Sequence, residues 1–78
     1  MEKLLLNILR ALVQVPEDLD IQEVRGTAST IVEIRCHPDD VGILIGKNGK
    51  TISAIRVLLN AIAGRDDKRI ILEVIEPA

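Results

Sequence analysis

With 78 residues the chain is long enough for one domain, residues 1–78, and a domain of that size buries only about 60% of its unfolded surface, so each large apolar residue counts. Its hydrophobic fraction of 47% excludes a disordered chain, and with no Phe, Trp or Tyr the core must be built from Leu, Ile, Val and Ala. A formal net charge of −2 argues against a nonspecific polyanion binder, which would carry a global excess of Lys and Arg.

The charge is nevertheless sorted along the chain. Residues 1–40 hold eight acids and four bases, residues 41–65 hold four bases and no acid, and residues 66–78 hold four acids and two bases. The basic segment contains Lys47, Lys50, Arg56 and Arg65. The lone Cys36 rules out an intramolecular disulfide and a multi-cysteine zinc site, and it fits a reducing, cytoplasmic compartment. Its ordinary role is that of a small buried hydrophobe. The apolar N-terminus is interrupted by Asn7 and Arg10 with no small-residue cleavage site after it, so neither a signal peptide nor a membrane span is expected.

In chain order, Lys3, Asn7, Arg10 and Gln14 form one polar stripe, which predicts an amphipathic helix from Glu2 to Val15, stopped by Pro16. Glu17 and Asp18 make a solvated turn. Leu19–Arg25 and Thr30–His37 read as strands joined by Gly26-Thr27-Ala28-Ser29, a connection of hairpin length. In the second strand Val32, Ile34 and Cys36 alternate with Glu33, Arg35 and His37, giving one buried and one wetter face. The alternation of the first strand is poor and leaves its register open.

Pro38-Asp39-Asp40 starts a short helix running to about Ile45, because proline suits the first helical position and carboxylates complement the positive helix end. Gly46–Gly49 breaks it, and Thr51–Ala63 forms a second helix that ends at Gly64 and the polar turn Arg65-Asp66-Asp67. Only Thr51, Ser53, Arg56 and Asn60 are polar in that helix; Val57, Leu58, Leu59 and Ile62 give it more apolar surface than one small core needs. Lys68–Glu76 is the last strand, bounded by Pro77. The order helix, strand, strand, helix, helix, strand predicts an α+β fold with a three-stranded mixed sheet and helices packed on one face: the hairpin is antiparallel, and the two-helix crossover permits a parallel pair.

Two glycines three residues apart carry little weight alone. Here they lie between two helical segments, follow Val41-Gly42-Ile43-Leu44-Ile45, and have Lys47 and Lys50 in and just after them. A glycine leaves room for a sugar-phosphate backbone to approach the main chain, the amides opening the next helix favour an anion, and the lysines add salt-sensitive attraction for phosphate. Two other readings fit less well. Asn48-Gly49 as a hairpin turn would leave the chain without its crossover helices. Gly49-Lys50-Thr51 as the end of a nucleotide-binding P-loop would require glycine where Leu44 stands.

The whole stretch Val41–Ile52, with the element order, resembles the KH RNA-binding domain, whose signature is an Ile-Gly-x-x-Gly loop between two helices. The helix-strand-strand prefix resembles its bacterial type II variant, and the chain is similar over essentially its full length to the small stand-alone bacterial KH proteins of the KhpA group. The resemblance implies an RNA chaperone or post-transcriptional regulator that grips about four nucleotides of single-stranded RNA with the loop Gly46, Lys47, Asn48, Gly49 and Lys50. It also implies an apolar groove for the bases at Gly42, Ile45, Ile52 and Ile34, with Arg56 beside it. Members of that group self-associate and pair with a larger KH-containing protein, which implies a homodimer interface here at Leu58, Leu59 and Ile62. An aromatic stacking platform, as in RNA-recognition sheets and single-strand-binding barrels, is out of reach for this composition.

No catalytic residue, metal, cofactor or small-molecule substrate is expected. His37 is the single histidine, its neighbour Cys36 points to the opposite strand face, and Asp39-Asp40 and Asp66-Asp67 suit helix-entry and turn positions better than acid-base pairs. The alternative reading is a protein-interaction subunit on a KH-like fold with weak or no RNA binding of its own.

Overall fold

The computed structural model describes residues 2–63 and 69–76. Its elements are α1 (Glu2–Leu12), β1 (Asp20–Arg25), β2 (Ser29–Arg35), α2 (Val41–Ile45), α3 (Lys50–Ala63) and β3 (Arg69–Ile75), with 3-10 turns at Pro16–Asp18, Pro38–Asp40 and Lys47–Gly49. The order is the expected one. The Gly64–Asp67 turn, Lys68 as a strand start and Pro77 as its boundary lie outside the described residues.

The three strands form one sheet in the order β1-β2-β3, with β1 antiparallel and β3 parallel to the central β2. The open register of β1 is settled by pairing Ile21 with Ile34 and Glu23 with Val32. On the parallel side Leu72 pairs with Val32 and Val74 with Ile34. One sheet face therefore presents Ile21, Val32, Ile34, Leu72 and Val74, all buried or packed against the core. Leu5 and Leu9 of α1, Leu44 of α2, and Ile55 and Leu59 of α3 complete that core from the helix side. Aliphatic side chains and Cys36 fill it, and five of the aliphatic ones, Leu5, Leu9, Ile34, Leu44 and Leu59, are the largest apolar groups fully removed from water. Truncating any of these to alanine carries a cost of about 2–5 kcal/mol.

α1 ends at Leu12 and not at Val15 as its polar stripe predicts. The Val13 amide still donates to the Leu9 carbonyl at 3.0 Å, but the next two amides are diverted. Gln14 N–H donates to Asp40 Oδ1 at 2.9 Å and Val15 N–H to Oδ2 at 3.0 Å. Asp40 is fully buried, and both its oxygens are used. Its place after Pro38 predicts electrostatic help to its own helix; instead it stands at the N-cap of α2 without a side-chain cap bond and serves a segment 25 and 26 residues away. His37 does act at a helix entry: its Nδ1 accepts the Asp39 amide at 3.0 Å. β2 stops at Arg35, so Cys36 and His37 lie beyond the strand, although Cys36 keeps the buried side that the alternation assigns to it.

A second polar clamp secures the sheet edge. Asn60 Oδ1 accepts the Ile70 amide at 2.9 Å, while its Nδ2 donates to the carbonyls of Ile70 at 3.2 Å and Arg56 at 2.9 Å. One carboxamide on α3 thus satisfies both backbone groups of a residue on β3, as a neighbouring strand would.

The turn between α2 and α3 is built on left-handed backbone. Gly46 has φ 76° and ψ 174°, a region open in practice to glycine alone, and Asn48 has φ 57° and ψ 29°, the left-handed region that asparagine tolerates. Gly49 follows at φ 74°. The two glycines differ in their surroundings: a Cβ on Gly46 would lie 2.7 Å from Thr51 Cβ and 2.8 Å from the Thr51 amide nitrogen, whereas one on Gly49 would meet nothing within 4 Å.

Two measurements check these assignments. Asn60→Leu leaves both Ile70 backbone groups without their partner and should lower stability by about 2–3 kcal/mol, read as a lower urea midpoint at unchanged slope. Gly46→Ala combines forbidden backbone with a backbone collision and should cost about 3 kcal/mol or more, whereas Gly49→Ala meets only the φ penalty of about 1–2 kcal/mol. Equal losses in the two alanine variants would contradict this geometry.

Candidate nucleic-acid interface

The loop Gly46–Gly49 projects between two helices whose apolar sides are anchored in the core, so its backbone course is set from both ends. On the α2 side the Gly46 amide donates to the Gly42 carbonyl at 2.9 Å, and within the loop the Gly49 amide donates to the Gly46 carbonyl at 3.2 Å. On the α3 side a helix of 14 residues begins at Lys50. Its first amide, that of Lys50, already donates to the Lys47 carbonyl, and the positive end of the helix dipole lies with this turn. Lys47, Asn48 and Lys50 are exposed, and Gly49 is partly so.

The loop therefore offers main chain that a phosphate can approach. At Gly49 the space a side chain would take is open. Gly46 has a different function: the fold itself fills the place of its Cβ with Thr51, so glycine there serves the turn rather than the approach of a ligand. Lys47 and Lys50 flank the opening with charge that is solvated, hence weak and screened at any single phosphate.

Gly42 and Ile45 are three residues apart on α2 and share a stripe; Ile52 and Arg56 are four apart on α3 and share another. Gly42 is exposed and has open space at its Cβ position, while Ile45, Ile52 and Arg56 are half-buried. Ile52 leans on the core with one side and leaves the other accessible. Ile34 cannot line a groove with them: it has 0% of its surface exposed. It faces the helices from the middle strand, in a register that seats it between Ile21 and Val74. A groove at this site has the two helix stripes as its accessible apolar wall.

On the outer side of α3 the apolar surplus divides. Leu58 is 48% and Ile62 52% exposed, joined by Val57 at 64%, but Leu59 is at 0% and belongs to the core. Leu59 lies one residue past Leu58, about 100° around the helix, which turns it from solvent to sheet. It is removed from any interface that keeps the monomer fold.

Asp40, Asn60 and Thr51 also shape the site, and sequence reasoning does not single them out for it. Asn60 carries a signal, being a lone carboxamide deep in an apolar helix; Asp40 carries none beyond its place after Pro38. Burial first, and then the nearby Asp40 charge, push the Cys36 thiol above its ordinary value, away from the thiolate form that reacts. Among the described residues no three His, Cys, Asp or Glu side chains come together as a metal-binding group, and no helix is long and apolar enough to cross a membrane.

Comparison with known proteins bears on this geometry directly. Residues 2–74 match the family model described as KhpA/KhpB, KH domain. The RNA-binding protein KhpA of Chlamydia trachomatis serovar D is 42% identical over 76 residues, covering 97% of both chains. That of Clostridium acetobutylicum is 39% identical over 75 residues, covering 96% of this chain and all of the relative, and that of Listeria monocytogenes is 40% identical over 76 residues, covering 97% and 100%. A two-helix turn on glycines 46 and 49, a mixed three-stranded sheet behind it and a match that spans nearly the whole chain lead to one conclusion: the chain belongs to the KhpA/KhpB KH-domain family.

Proposed function

We propose that this protein binds single-stranded RNA without covalent chemistry, gripping about four nucleotides at the Gly46–Gly49 loop. The observation that carries the reading is the coincidence of left-handed loop backbone, open at Gly49 and flanked by exposed Lys47 and Lys50, with the longest stretch of the chain free of acidic residues. Relatives at about 40% identity bear the name RNA-binding protein, which supports the same reading. Phosphates sit against the loop main chain and the two lysines, and bases lie along Gly42, Ile45 and Ile52 with Arg56 at the side. In the cell this corresponds to a cytoplasmic RNA chaperone or post-transcriptional regulator.

A short grip with few charges is weak, and pairing two modules raises the effective affinity without new base contacts. The exposed Val57, Leu58 and Ile62 favour such a pairing, with a second copy or with a larger KH-containing protein. If that surface is the main business of the chain, the protein is an interaction subunit with little RNA affinity of its own.

Two experiments separate these readings. The double variant Lys47→Asp with Asn48→Asp should stay folded, weaken RNA binding by about tenfold or more, and flatten the salt dependence by about 0.7 for each phosphate no longer neutralised. Unchanged affinity in the folded variant would remove the loop from the interface. Sedimentation at micromolar concentration should show self-association of the parent chain that Leu58→Glu or Ile62→Glu abolishes; a strict monomer indifferent to both rules out the α3 surface.

A further inference from the structure

We infer that Asp40 is a positioning residue for the Gly46–Gly49 loop, transmitting the placement of the α1 terminus to the RNA grip; this rests on the loop reading proposed above. The first ground is what Asp40 does not do. An aspartate at an N-cap ordinarily accepts an amide of its own helix. Here it makes no such bond, and both carboxylate oxygens instead hold the Gln14 and Val15 amides at 2.9 and 3.0 Å. The group is fully buried, so these two bonds replace its hydration and fix it tightly.

The second ground is leverage. α2 is only five residues long and cannot hold its direction by helix formation alone. Its first end is Asp40. Its last end is Gly46, whose amide is tied back to Gly42 at 2.9 Å. Between them Leu44 alone is fully buried and is the firmest apolar pin of a short rod, with Val41 packed against the core but only partly buried. The Asp40 bonds supply a second pin, and two pins determine a direction. The loop begins at the far end of that rod, so a shift at Asp40 reappears in the left-handed turn where Lys47 and Asn48 are presented.

The test uses the full chain and a labelled mixed-sequence single-stranded RNA dodecamer. Asp40→Asn keeps the shape but turns an amino group toward one of the two amides; Gln14→Pro deletes one donor and leaves the carboxylate in place, which serves if the first variant folds poorly. Both should move the amide resonances of Gly46 through Lys50 in the native state and weaken RNA binding by about two- to thirtyfold, the range for coupling through a packed network. The slope of affinity against salt should not change, because every group that faces phosphate is retained. Ile70→Val, a core truncation in β3, controls for reduced stability and should leave loop resonances and affinity as they are. Folded Asp40→Asn and Gln14→Pro with unmoved loop resonances, or with the affinity of the parent chain, would overturn the inference. If the Lys47→Asp, Asn48→Asp variant binds RNA normally, the loop reading falls instead, and the loop resonances still decide whether Asp40 sets the turn.

Discussion

Everything in this fold follows from covering one face of a small sheet with helices that contain no aromatic residue. The central β2 is the reference: Val32 and Ile34 lie at 2% and 0% exposure, and each helix is placed by the aliphatic side chain it can set against them. α1 contributes Leu5 and Leu9, α2 contributes Leu44, and α3 contributes Ile55 and Leu59. The crossover from β2 to β3 must accommodate two of these helices with a sharp turn between.

That turn is the one proposed above as the RNA grip. Two helices packed on the same sheet face can be joined by four residues only if the chain reverses abruptly, and the reversal uses φ values of 76°, 57° and 74° at Gly46, Asn48 and Gly49. The same backbone that closes the fold leaves main chain uncovered at Gly49 and carries two lysines outward. In the proposed reading structure and recognition share the motif but divide its glycines: Gly46 is required by the packing of Thr51 against it, and Gly49 is the one of the two with open space at its Cβ position.

Two polar side chains hold the layers in register where apolar contact has no direction. Asp40 joins the end of α1 to the start of α2, and Asn60 joins α3 to the edge of β3. Each satisfies backbone groups that are at least partly screened from water, and hydrogen bonds of this kind specify geometry more than they add stability. A core of interchangeable Leu, Ile and Val can slide; these two clamps limit how far.

Much of this is legible in the amino-acid order because it is local. Prolines 16 and 38 and glycines 46 and 49 act on their own backbone, so the element order, the mixed sheet and the place of the turn follow from the residues themselves. The sorting of charge into a basic middle segment is equally independent of folding. What tertiary structure alone decided is the fate of side chains whose partners are distant in the chain. Alternation puts Ile34 on the buried face of its strand, but it is the sheet register that takes it wholly out of reach of a groove, and the helix rotation that places Leu59 in the core while Leu58 and Ile62 stay outside. The helix reaches Leu12 and not Val15 because a carboxylate 25 residues on takes its next amides. Periodicity reports which residues can share a face; only the packed chain determines which face meets another and which meets water.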